Sequence, residues 1–202
     1  MPPNNPSALD QSHVNTLSAF SFASFFQDQK KTLHSRSMML ALSFLIEDYA
    51  AASPETRLIA TFQRFSHYRR QLHRYRRFAP RLSHVFVLGF PDEVPPDLPE
   101  VTTVALEAEW PLVHEWVVIA WGPAIAAALV AYDEEQCAPF CTSRRFQAVW
   151  TTSTAQIEPM VTAFYRALGQ PAPVFARDMP TTQRTTVAMQ KDLTARLRAV
   201  RQ

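Results

Sequence analysis

The sequence predicts an α+β domain, a largely antiparallel sheet of about four or five strands packed against helices on one face, with helical appendages at the N- and C-terminal ends. Three observations carry this reading. Before residue 80 and after residue 153, apolar residues recur at spacings of three and four, the period of a helix with one buried stripe. Between them, runs rich in valine, isoleucine and aromatics are broken by Pro-rich and Gly-containing links, as strands are. Strands clustered in the middle of a chain, with short links, favour pairing of neighbours over alternating βαβ units.

The 202 residues suit one unit with appendages. Residues 1–13 read as a disordered lead-in: they lack both the basic start and the apolar stretch of a secretory signal. The domain is expected over residues 14–170. Its first part holds two apolar patches, SAFSFASFF and SMMLALSFLIEDYAAA, separated by polar QDQKKTLHSR. The second patch is a helix capped by Ser35 or Ser37, with Met38, Leu42, Leu45, Ile46 and Tyr49 facing the core. Ser53 and Pro54 then start a second, long helix, because proline is tolerated at the first helical position. It runs to about Phe78. Leu58, Phe62, Phe65, Tyr68, Leu72, Tyr75 and Ala79 fall on one face, most arginines point outward, and Pro80 ends it.

After the helix the period changes. SHVFVLGF (83–90) and VTTVALE (101–107) read as strands around the Pro-rich loop PDEVPPDLPE. Trp116 to Tyr132 is an uncharged stretch of 17 residues, barely long enough to cross a bilayer. Gly122 and Pro123 interrupt it, so EWVVIAW and AIAAALVAY are predicted to form a hairpin rather than a span. FQAVWTT (146–152) is a fifth strand, and STAQIEPMVTAFYRALG a helix closed by Gly169. Residues 171–180 form a Pro-rich linker. Residues 181–202 form a basic amphipathic helix with Val187, Leu193, Leu197 and Val200 on its apolar side, ready to meet a partner or its own twin.

The formal charge is only +2, but it is unevenly spread. Arg64, Arg69, Arg70, Arg74, Arg76, Arg77 and Arg81 lie within 18 residues, whereas residues 92–135 carry ten carboxylates and no lysine or arginine. The functional reading is a basic patch that meets phosphates, which makes a nucleic-acid-associated regulator the alternative function. The plainer reading is a solvated helix face balanced by the acidic segment.

Chemistry is sparsely signalled. With 3 glycines there is no Gly-rich phosphate loop, and no serine has the flanking glycines of a nucleophile elbow. Cys137 and Cys141 enclose Pro139 and lack a second ligand pair, so no metal site is expected. Two cysteines make no disulfide framework, which points to a reducing, cytoplasmic setting. His114 and Glu115 are neighbours that a strand would point to opposite sides. An enzyme is therefore not expected. What stands out is aromatic content: Phe62, Phe65, Tyr68, Tyr75, Trp116, Trp121, Phe146 and Trp150. These serve either as core packing or as the walls of a pocket for a flat apolar ligand or chromophore, with Ser66, His67 or Tyr68 orienting it.

Three segments taken together, FQRFSHYRRQLHRY (62–75), EWVVIAW (115–121) and RFQAVWTT (145–152), resemble the DICT family, the sensory domain named for diguanylate cyclases and two-component systems. The resemblance covers roughly residues 35–170. It implies an α+β domain with a four-stranded sheet, acting as a signal-input module beside cyclase, phosphodiesterase, kinase or DNA-binding outputs, with a role in light responses. It implies no catalytic residue. Phe62, Ser66, Tyr75, Trp116, Phe146 and Trp150 are the counterparts of its recurrent aromatic and small polar positions. Because no output segment is evident beside it, the domain is expected to signal through a partner protein (a cyclase, a kinase or a transcription regulator) or through self-association.

Overall fold

A computed structural model describes residues 16–133, 145–174 and 178–199. Its centre is one seven-stranded mixed sheet in the order β1-β7-β6-β5-β2-β3-β4. The strands are β1 (Thr32–Ser35), β2 (Arg57–Arg64), β3 (His84–Phe90), β4 (Val101–Ala105), β5 (Glu115–Gly122), β6 (Ile125–Tyr132) and β7 (Arg145–Thr151). Among the described residues its longer helices are α1 (Arg36–Ala51), α2 (Phe65–Phe78), α3 (Thr154–Ala167) and α4 (Met179–Ala199).

The α+β class stands, and three details are corrected. The sheet is larger than expected. β1 lies in the polar QDQKKTLHSR segment, where an edge strand needs little apolar content because most of it stays exposed. The sheet is also mixed: β2, β3 and β4 run parallel to one another, and the pairings from β2 through β5, β6 and β7 to β1 are antiparallel.

The second correction is the long helix from Pro54. Its first half is β2, and α2 begins only at Phe65. Leu58 and Phe62 are four apart, a spacing that puts residues on one side of a strand as well as of a helix. The period misled there. Gln63 makes the break, with φ 55 at the point where the β2–β3 register shifts between Thr61 and Arg64. A non-glycine residue in this left-handed region costs about 1 kcal/mol or more.

The third correction is that helices cover both faces. On one face, α1, α2 and α4 pack on Leu58, Ala60, Val85, Val87, Val118, Ala120 and Leu129. On the other, α3 and the turn Ala23–Phe26 pack on Ile59, Phe86, Leu88, Val117, Ile119 and Val130. Alternate residues of β5 thus supply two separate cores, which explains why the strand is apolar from Trp116 to Trp121. The hairpin β5–β6 is as predicted, with Trp121 opposite Ala126 and Gly122 opposite Ile125 at its turn.

Two helix ends follow the expected chemistry. Ser35 caps α1, its Oγ accepting from Met38 N at 3.4 Å. Gly169 follows α3 with φ 68, and its N–H donates to Arg166 O at 2.9 Å. The terminal helix is docked on α1 and β6 through Met189 and through Leu193 of the predicted stripe, whereas Val187 of that stripe is not. Met189 is buried, Leu193 is half-buried, and Val187 is exposed. The side chain of Leu197, and Val200 altogether, lie outside the described residues, as do residues 1–13, Cys137 and Cys141. No helix among the described residues is long and apolar enough to cross a membrane.

Candidate functional site

The C-terminal end of β2 is where the sheet changes from antiparallel to parallel pairing, with β5 on one side and β3 on the other. Side chains there cannot be covered by a regular helix packing, because the chain leaves β2 at the Gln63 kink and turns straight into α2. A cavity of about 90 Å³ results, bounded by α1, β2, the start of α2, β5 and β7. From α1 come Arg36, Leu40, Ser43, Phe44 and Glu47. From β2 and α2 come Ala60, Thr61, Phe62, Gln63, His67, Arg70 and Gln71, and the sheet adds Trp116, Val118 and Phe146.

Of the nine residues named from sequence as a pocket, Phe62, Trp116 and Phe146 line this cavity. Trp116 and Phe146 meet edge to face at 5.3 Å between ring centres, and the Trp116 indole donates to Ser43 Oγ at 2.9 Å. Phe62 stacks against Tyr68 and Tyr75, with centroids at 5.4 and 5.5 Å. Tyr68 and Tyr75 therefore stand behind the cavity wall. Both are fully buried, and burial pushes the Tyr68 phenol up to about 12. Phe65 is buried beneath Gly89, where an added methyl would meet its ring at 3.2 Å. Ser66 faces away from the cavity, its N–H donating to Asp92 at 3.0 Å. Trp150 packs on the same core without reaching the cavity. Trp121 sits in the core of the opposite face: five residues from Trp116 on one strand, it must point the other way.

Sequence reasoning missed the helical half of the site. Ser43 and Glu47 are four apart on the buried side of an otherwise apolar helix, and that spacing was the available signal. Glu47 is almost wholly buried and accepts from Arg74 Nε at 2.6 Å and from the Tyr75 hydroxyl at 3.4 Å. Burial pushes its carboxyl up to about 7, and the Arg74 guanidinium offsets only part of that. Burial also works against the Arg74 charge, but Glu47 and Asp48 more than offset it and raise its pKa. Arg74 reaches Asp48 at 2.7 Å and the Phe44 carbonyl at 3.0 Å, and Arg196 of α4 joins the cluster at 3.2 Å from Asp48.

The basic patch divides accordingly. Arg74 is held inside that cluster, and Arg69 pairs with Glu93 and donates to Val94 O at 2.8 Å. Arg64 sits at the end of β2 with its guanidinium 5.7 Å from the Phe90 ring centre. Arg70 is at the cavity rim. Arg76 and Arg77 close α2, where positive charge suits the helix end, and Arg81 is exposed in the next turn. His114 and Glu115 do not form an acid/base pair. Glu115 is buried and receives Ser21 Oγ and the Phe22 N–H, the latter at 2.9 Å; burial raises its pKa despite these bonds. Among the described residues no group of three or more His, Cys, Asp or Glu is placed to hold a metal.

Compared with known families, residues 16–134 match DICT, described as the sensory domain in diguanylate cyclases and two-component systems. The matched span is more than half of the chain. It takes in the segment before residue 35, which the sequence reading placed outside the resemblance, and it ends before β7, so Phe146 and Trp150 lie beyond it. No curated protein and no solved structure matches the chain.

Proposed function

We propose, from the premise that this chain belongs to the DICT family of sensory domains, that it is a non-enzymatic regulatory domain whose input site is the cavity between α1, α2 and the sheet. The cavity itself carries the reading: an opening of about 90 Å³ walled by Phe62, Trp116 and Phe146, with polar side chains at its rim. Ligand pockets combine such apolar walls with a few orienting polar groups. The size favours a small molecule over a flat chromophore, since an engineered cavity of about 150 Å³ accommodates only a benzene ring. A light response is therefore not part of the proposal.

The output would pass through α1. This helix lines the cavity with one side and carries Asp48 and the Ala41 carbonyl, which hold Arg196 of α4, on the other. A ligand that favours one placement of α1 shifts the surface that α4 presents to a signalling partner. The partner is a signalling protein, in keeping with the diguanylate cyclases and two-component systems for which the family is named; a cyclase, a kinase or a transcription regulator would each serve.

Thermal unfolding in the presence of a metabolite panel tests the input site. A ligand at a hundred times its dissociation constant stabilises by about 2.7 kcal/mol, and Val118→Phe or Leu40→Phe, which fill the cavity, should abolish the response. Responses that persist in both variants, each with a cooperative melt, would remove the cavity from the proposal.

A second reading has its own observation. Arg70, Arg76, Arg77 and Arg81 are exposed, so a nucleic-acid regulator retains part of the basic patch. Filter binding over a salt series decides it, because each neutralised phosphate on duplex DNA contributes a slope of about −0.9. Loss of that slope in an Arg70, Arg76 and Arg77 triple replacement would favour it.

A further inference from the structure

We infer that the cavity selects small carboxylates, molecules with a compact apolar body and one anionic group. This rests on the reading of the cavity as the input site and adds the chemistry of what enters it. The argument is the state of its hydrogen-bonding groups. Three acceptors at the wall are already engaged. Ser43 Oγ accepts from Trp116 and donates to Met39 O at 2.8 Å. Thr61 Oγ1 accepts from Val117 N at 2.8 Å and donates to Glu115 O at 2.6 Å. Glu47 is taken by Arg74 and Tyr75.

The donors are in the opposite condition. Gln63 Nε2 is buried and has no acceptor among the described residues. A buried donor without a partner costs about 1–3 kcal/mol, and here it belongs to a residue that the backbone kink, φ 55, sets at the cavity wall. Arg36 and Arg70 stand at the rim, both exposed, and neither has an ion pair or hydrogen bond among the described residues. His67 lies near both: burial first, and then these two guanidinium groups, hold its pKa below the usual value. Its Nδ1 is 3.2 Å from Phe62 O, to which it donates. The rim thus carries two guanidinium groups without acceptors among the described residues, while the one carboxylate at the wall is paired with Arg74. A ligand carboxylate would meet Arg36 and Arg70, and its body would lie against Phe62, Trp116 and Phe146. Charge-assisted hydrogen bonds of this kind are the stronger sort. The volume suits a branched chain of a few carbons, with an aromatic ring requiring the side chains to give way.

Isovalerate, its neutral isostere isovaleramide, and inorganic phosphate are the probes, titrated by calorimetry into the full chain. The Trp116 indole and Gln63 side-chain amide signals in ¹H–¹⁵N NMR report the place of binding. Isovalerate should bind at least about tenfold more tightly than isovaleramide and shift both signals. Arg36→Ala with Arg70→Ala, two exposed positions, should bring it down to the level of the amide. Equal binding of acid and amide, an advantage that survives the double replacement, or phosphate binding as tightly as isovalerate would each overturn the inference. If isovaleramide shifts the two signals and the acid has no advantage, the carboxylate preference falls alone and the input site stands. If no probe shifts either signal and Val118→Phe leaves every thermal response intact, both fall.

Discussion

Replacing Glu47 by glutamine isolates the titration of one buried carboxyl. Burial raises this carboxyl from 4.5 to about 7, so the folded state binds its proton more tightly than the unfolded chain does. The sign follows directly. The contribution is fully present below about pH 4.5 and is lost as pH rises through about 7. Within that window one proton changes hands at about 1.4 kcal/mol per pH unit, which gives a loss of about 3 kcal/mol in all. Glutamine is uncharged at every pH and resembles the protonated acid. Glu47→Gln should therefore lack this pH dependence, so that its stability relative to the wild type rises by about 3 kcal/mol between pH 4 and pH 8. Urea unfolding at both pH values, followed by far-UV circular dichroism, measures the difference. Glu115, also raised by burial, titrates in both proteins and cancels. If the bond to Arg74 outweighed burial, the wild type would instead gain stability with pH and the variant would fall below it. Parallel pH profiles, or that inverted order, would refute the reasoning.

Three further outcomes follow from the contacts. Glu115→Ala leaves the buried Phe22 N–H without its acceptor and should cost about 2–3 kcal/mol, with amide exchange at Phe22 rising more than at β5; unchanged exchange there would contradict the anchoring role. Gly122→Ala places a methyl 2.8 Å from Thr56 Oγ1 and 3.0 Å from Thr56 Cα, so the hairpin turn must shift at about 1–3 kcal/mol, and an unaltered thermal midpoint would show that the turn yields freely. Arg196→Ala removes partly exposed bonds to Ala41 O and Asp48. It should lower global stability by less than about 1 kcal/mol while accelerating amide exchange within α4, and exchange equal to wild type would show that Met189 alone holds the helix.

Where one periodicity applied, the sequence was readable. Trp116 to Tyr132 read as a hairpin because a Gly-Pro break interrupts any single helix there, although the alanines of 124–131 also suit a helix, and Ser35 marked the start of α1 by its capping chemistry. Leu58 and Phe62 were not decidable by spacing, since four residues is commensurate with both a strand and a helix. The strand content of Leu58, Ile59 and Thr61 was the better guide. Fusing β2 with α2 also hid the β2–α2–β3 crossover, and with it the parallel half of the sheet. The candidate cavity was half legible. The aromatic side showed in composition, and strand parity would have separated Trp116 from Trp121. The helical side did not show, because Ser43, Glu47 and Gln63 matter through burial and through a backbone kink, neither of which a linear pattern displays.

Ser35 is at once the last residue of β1, opposite Arg145 of β7, and the cap of α1. The next residue, Arg36, stands at the rim of the cavity. With no linker to absorb movement, peeling the outer strand from the sheet would also uncap the helix and displace the rim arginine. Anything that displaced β1 from β7 would therefore move Arg36 without touching the cavity.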